Sequence, residues 1–210
     1  MPKLVKLLKE NKMTLIVEVP ANDPAVMEAA ALAGADALQL KGVPRKMIEG
    51  IALPVGVLIE GKTAKNEKDV KTIVKMGFDF INVDADAFGD HIAGLKGVSK
   101  VLALGSKFSV DKLIGISSLQ GAALDAAIIP TGDWGKELVV GDLQNYISII
   151  LSANIPVIIP TQRAVRTSEV AIIADTGAKA ILLTETVMGN TPAQVEKTVR
   201  EFRLAIDELE

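Results

Sequence analysis

The chain contains no cysteine, one histidine, one tryptophan and one tyrosine among 210 residues. Without cysteine there is no disulfide framework, no thiolate zinc site and no thiol nucleophile. Aromatic residues make up 3% of the chain, too few for the stacking surfaces on which nucleic-acid bases usually rest. The net charge of -3 also lacks the basic excess of a nucleic-acid binder. No apolar run is long enough for a membrane span. The N-terminal stretch, MPKLVKLLKENK, is too charged for a signal peptide, so the expected location is cytoplasmic. With 49% hydrophobic residues, the chain has enough apolar material for a single domain, residues 1–210, with a full core.

The apolar material is distributed in a regular way. Eight short apolar runs recur: 14–19, 37–40, 55–59, 80–84, 101–104, 126–130, 156–160 and 180–183. Helix-like segments separate them. Asp23, Asn66, Ser109 and either Thr167 or Ser168 stand at expected N-caps, and Pro24 at a first helical position. Gly34, Gly77, Gly121 and Gly177 end helices just before the even-numbered runs, and this repeat aligns Asp36, Asp79 and Asp125. A strand–helix pair repeated in this way predicts parallel strands, and eight of them predict an α/β fold, the (β/α)8 TIM barrel. An open doubly wound sheet is the alternative, but EVPANDP after the first run lacks its glycine-rich phosphate loop. Leu4, Leu7 and Leu8 share one face of a short N-terminal helix expected to cover one end of the fold.

Barrel enzymes place their chemistry at the C-terminal ends of the strands. Alternation along the runs turns Glu18, Gln39, Lys41, Glu60, Lys62, Asn82, Asp84 and Asp86 inward. Of these, all but Gln39 and Asn82 fall at the predicted mouth. Lys62 is the expected proton donor or oxyanion stabiliser, and Glu18, Glu60, Asp84 and Asp86 the groups that orient it or act as base. Asp84 and Asp86, ~6.5–7 Å apart along one strand face, suit either a shared Mg²⁺ or two carboxylates with separated pKa values. A plain ion-pair network plugging the barrel end is the competing structural reading. Later strand ends supply Thr161, Thr184, Glu185 and the cation Arg163. Together with Lys41 these are the expected substrate-binding residues. Trp134 sits between glycines in a loop suited to a lid or to rim packing, and His91 reads as a surface or capping residue.

One stretch adds a family likeness. Ile155-Pro156-Val157-Ile158, Arg166-Thr167-Ser168-Glu169-Val170, Gly177-Ala178-Lys179-Ala180-Ile181-Leu182-Leu183 and Val187-Met188 resemble the last two strands of the ribulose-phosphate-binding barrels. That superfamily includes sugar-phosphate decarboxylases and epimerases and indole glycerol phosphate synthase. Glu60-Gly61-Lys62 partly matches the acid and lysine of its decarboxylases. The resemblance implies a lyase or isomerase acting on a small anionic carbonyl compound, a sugar phosphate or sugar or keto acid, through an enolate-type intermediate. The chain departs from the family where Pro160 to Val165 replaces one pair of phosphate-binding glycines and Thr184-Glu185 the other. A glutamate there repels a dianion, so phosphate is expected to bind weakly unless Arg163 or Arg166 rebuilds an anion site. The rival reading is a non-catalytic ligand-binding or assembly barrel. The expected partner is a small anionic metabolite, not nucleic acid or membrane, with homo-oligomer formation left open.

Overall fold

A computed structural model describes residues 1–44, 50–109, 113 and 119–209. Eight parallel strands close into a barrel in sequence order, β1 to β8. They are β1 (Thr14–Val19), β2 (Ala37–Lys41), β3 (Val55–Ile59), β4 (Phe80–Asp84), β5 (Ser99–Ala103), β6 (Ala122–Asp125), β7 (Val157–Pro160) and β8 (Ala180–Leu183). The ring closes where β1 pairs with β8, Leu15 opposite Ile181. The described helices are α1 (Lys3–Glu10), α2 (Pro24–Leu32), α3 (Gly61–Lys65), α4 (Glu67–Lys75), α5 (Asp90–Ala93), α6 (Val140–Ser152), α7 (Val170–Asp175), α8 (Glu185–Met188) and α9 (Pro192–Asp207). The helix expected after Ser109 lies largely outside the described residues. None of the described helices is long and apolar enough to cross a membrane.

Local signals explain the element boundaries. The Asp23 carboxylate accepts from the Ala25 amide and caps α2, with Pro24 behind it. The Asn66 side chain accepts from the amides of Lys68 and Asp69 and caps α4. Thr167 and Ser168 instead lie inside a short 3-10 turn whose cap is Arg166, where Glu169 accepts from the Arg166 amide. Gly34, Gly77 and Gly177 follow α2, α4 and α7 at φ of 102°, 96° and 93°, values that side-chain-bearing residues rarely adopt. Asp36 and Asp79 then accept from the amides of Leu15 and Val55 at the start of a neighbouring strand.

Strand six departs from expectation. It spans Ala122–Asp125, four residues earlier than the apolar run at 126–130. Asp125 is therefore no counterpart of Asp36 and Asp79, which precede their strands. It ends its own.

Inside the barrel, side chains stack in layers contributed by alternate strands. Ala37, Phe80, Ala123 and Ala180 form a lower layer from the even strands, and Ile16, Val101 and Ile158 belong to the odd layer above it. The fourth odd position is Gly56, over which the Phe80 ring lies. From below, Leu4 and Leu8 of α1 join this inner core, both fully buried. The Val5 amide donates to the Ser99 hydroxyl, and Lys3 pairs with Asp79 at 2.8 Å. The helix expected over one end of the fold thus seals the N-terminal end of the barrel. A second, larger apolar layer lies between the outer face of the strands and the helices, including Leu38, Leu40, Ile81 and Val83.

Candidate active site

Above these layers the interior turns polar. The next even layer consists of Gln39, Asn82, Asp125 and Leu182, and the next odd layer of Glu18, Leu58, Ala103 and Pro160. All eight line a cavity of about 490 Å³ at the C-terminal ends of the strands. Lys41, Glu60, Thr184, Glu185 and Trp134 complete much of its upper wall.

The floor of the cavity is one hydrogen-bonded chain. The Asn82 amide nitrogen donates to Asp125 Oδ2 at 2.8 Å and to Gln39 Oε1 at 3.0 Å. The Gln39 amide nitrogen reaches Glu18 Oε2 at 3.5 Å. Glu18 Oε1 lies 3.1 Å from Lys41 Nζ, and Lys41 lies 3.4 Å from Glu185 Oε1. Five side chains from four strands, β1, β2, β4 and β6, and one from the first turn of α8 are thereby coupled. The remaining oxygens, Asp125 Oδ1 and Asn82 Oδ1, are buried with no partner among the described residues.

Burial sets the protonation of this chain. Removal from water pushes the Asp125 carboxyl up to about 7, only partly offset by the Asn82 hydrogen bond, while the Glu18 charge adds to the rise. Burial also raises Glu18, against the pull of Lys41. For Lys41, burial acts downward but the charges and hydrogen bonds of Glu18 and Glu185 outweigh it, and its pKa lies above the ordinary lysine value. The site therefore holds a reluctant pair of acids beside one firmly charged ammonium. Four carboxyl side chains (Glu18, Glu60, Asp125 and Glu185) face one lysine in the described lining.

Several residues turned inward by alternation do not reach this cavity. Lys62 is exposed on α3 and is not among its lining residues. Strand alternation ends with β3 at Ile59, and Gly61, at φ 58°, turns the chain directly into a helix, which redirects Lys62. Asp84 and Asp86 line a separate cleft of about 60 Å³ beside Leu104 and Lys107. Asp84 Oδ1 accepts from the Asp86 amide at 2.7 Å and caps the one-turn segment Ala85–Ala87. Among the described residues no three His, Asp or Glu side chains are grouped to hold a metal ion.

The expected anion hooks are also engaged elsewhere. Arg163 is buried, with Nε and Nη2 on Asp142 of α6 at 2.8 and 3.1 Å, and Nη1 donating to the Asp133 carbonyl. Arg166 pairs with Glu137 at the surface. Thr161 is fully buried and stitches β7 to β8: its hydroxyl accepts from the Thr184 amide at 2.9 Å, and the Thr184 hydroxyl donates back to the Thr161 carbonyl. Glu185 opens α8, where the family resemblance puts a phosphate, and is paired with Lys41. His91 is remote from the cavity and bonds through Nε2 to the Ala64 carbonyl, tying α5 to α3. Trp134 stands on the rim, half exposed, its indole N–H donating to the Ile129 carbonyl.

No protein-family model matches this chain, and no curated protein matches it in sequence. Solved structures do match it in shape. Thiamine phosphate pyrophosphorylase from Pyrococcus furiosus superposes with a TM-score of 0.65 at 16% identity, over 94% of this chain and 97% of its own. N-acetylmannosamine-6-phosphate 2-epimerase from Clostridium perfringens gives 0.66 at 17% identity, over 93% and 94%. Tryptophan synthase subunit alpha from Legionella pneumophila str. Paris gives 0.66 at 13%, over the whole of both chains. What the chain shares with them is the fold, a closed barrel of eight parallel strands surrounded by helices. At these identities the likeness concerns the barrel alone.

Proposed function

We propose that this barrel is an enzyme, a lyase or isomerase, acting on a small sugar-like carbonyl compound through an enolate-type intermediate. The observation that carries the reading is the buried chain from Asp125 through Asn82 and Gln39 to the Glu18–Lys41 pair, set in the floor and wall of a cavity at the strand ends. Removing a proton next to a carbonyl needs a base and a group that stabilises the oxygen as it gains charge. Glu18, raised by burial, is the base on this reading. Lys41 supplies fixed positive charge. Asp125, which holds its proton to about pH 7, acts as the neutral acid.

Charge narrows the substrate. With four carboxyl groups against one ammonium, the mouth favours a hydroxyl-rich compound that is neutral or singly charged, and disfavours a phosphate dianion. The epimerase and the pyrophosphorylase of similar fold are named for phosphate esters. This barrel keeps the architecture and places Glu185 at the start of α8.

The test uses Trp134, the single tryptophan, as reporter. Aldoses, ketoses, their phosphates and keto acids are titrated while its emission is followed. Binding compounds are then incubated in D₂O and examined by NMR for deuterium at the carbon next to the carbonyl. Exchange by the wild type that is lost in Glu18→Gln supports the reading. Compounds that bind at the mouth yet never exchange overturn it.

A further inference from the structure

A second cavity, about 810 Å³, opens at the opposite end of the barrel, between α1, the turn after α5 and the starts of β5, β6 and β7. Its charge is the reverse of the mouth's. The described lining carries Lys9, Lys96 and Lys100 and no carboxylate. The rest of the wall is largely apolar, with Val98, Leu119 and Ile155 among its members.

Lys100 gives this cavity its character. Ser99 and Val101, its neighbours on β5, face into the barrel, so Lys100 points outward beneath α5. It is 6% exposed, which is rare for lysine. Its ammonium donates to the Ala93 carbonyl at the end of α5, at 2.9 Å. Capping a helix end is the ordinary duty of such a lysine, but that takes one of three donors. No carboxylate among the described residues pairs with it, and burial alone pushes its pKa down. Buried charges are normally paired, because desolvation is costly unless an opposite charge offsets it. Here the missing counter-charge would have to come from within the cavity.

We infer that this N-terminal cavity binds a small amphiphilic anion, its phosphate or carboxylate head on Lys100 with help from Lys9 and Lys96, its apolar body against Val98, Leu119 and Ile155. The barrel then carries two sites of opposite preference at its two ends. The anion site does not depend on the chemistry assigned to the mouth.

The experiment is calorimetric titration of the intact chain with octyl phosphate, octanoate and inorganic phosphate. The expected result is saturable one-to-one binding of octyl phosphate or octanoate, weakened at least tenfold by Lys100→Met and restored by Lys100→Arg. The stronger of the two ligands identifies the head group. Trp134 emission stays constant throughout, since the indole lies at the other end of the barrel. Should Lys100→Met not fold, the surface double variant Lys9→Gln/Lys96→Gln replaces it, with an expected loss of severalfold. Absence of binding by the folded wild type, or unchanged affinity in these variants, overturns the inference. Inorganic phosphate binding as tightly as octyl phosphate overturns its apolar half.

Discussion

The ring of Phe80 lies over Gly56, its register partner on the neighbouring strand, so closely that a Cβ on Gly56 would sit 2.2 Å from the ring. The missing side chain of one layer is filled by the oversized side chain of the next. Gly56→Ala should therefore lower stability by about 3 kcal/mol, because the ring is anchored in a sealed core and has nowhere to move. Urea unfolding measures this. Adding Phe80→Leu to Gly56→Ala should recover part of the loss, as expected for two side chains that compete for one space.

Asp125 makes stability depend on pH in an unusual direction. Its pKa is about 7 in the folded protein against 3.8 for the free side chain. Between those values the folded state holds a proton that the unfolded state has released, so stability is highest below the lower value and falls as pH rises toward 7. The total is on the order of 4 kcal/mol, at about 1.4 kcal/mol per pH unit. Asp125→Asn keeps the shape and cannot ionise. Relative to wild type it should gain stability between pH 4 and pH 8, as read from unfolding midpoints at the two ends. A constant difference would remove the buried acid from the account of the site. Glu18, also raised by burial, remains in both proteins, so its own desolvation is common to the two and the difference reports Asp125 with its coupling to Glu18.

Arg163 and Asp142 form a buried pair joining the β7–α7 connection to α6. Removing one member leaves the other charge buried and alone. Asp142→Asn and Arg163→Met should each cost about 3–5 kcal/mol, while the double variant Asp142→Leu/Arg163→Met should cost less than the two single changes together. Chemical denaturation provides the comparison.

Once a substrate is found, the two lysines near the barrel's upper end should behave differently. Lys41→Met is expected to reduce turnover ~10²-fold or more, since it removes the only ammonium in the described wall of the mouth. Lys62→Met, on the exposed face of α3, should leave turnover unchanged. Steady-state kinetics of the two variants side by side decide the matter.

Much of the architecture was legible in the sequence, because strands buried on both faces leave continuous apolar runs and glycines mark where helices stop. The inward direction of Glu18, Gln39, Lys41, Glu60 and Asn82 is legible for a related reason: strand side chains alternate, and the first four apolar runs coincide with β1 to β4 to within one residue. Asp125 is not legible in the glycine repeat, because β6 begins right after Gly121 and not with the apolar run at 126–130, five residues on. Lys62 was misdirected because nothing in Glu60-Gly61-Lys62 shows that a helix starts at the glycine. Arg163 looked like a free anion hook because its partner, Asp142, lies 21 residues away on a helix, beyond any spacing rule. Position along a strand is local information; partnership between elements is not.

The sealing of the barrel by Leu4 and Leu8 has a consequence for the order of folding. These leucines come before the first strand, yet the surface that receives them is assembled from strands as late in the chain as β8. Contacts that span nearly the whole chain form slowly, because the intervening loop must be closed first. A helix that precedes every strand is thus among the last elements to find its place, and until the ring has closed its apolar face has no home. Shielding that amphipathic turn during synthesis falls to whatever else is at hand, and the barrel's earliest residues set the time at which its core becomes dry.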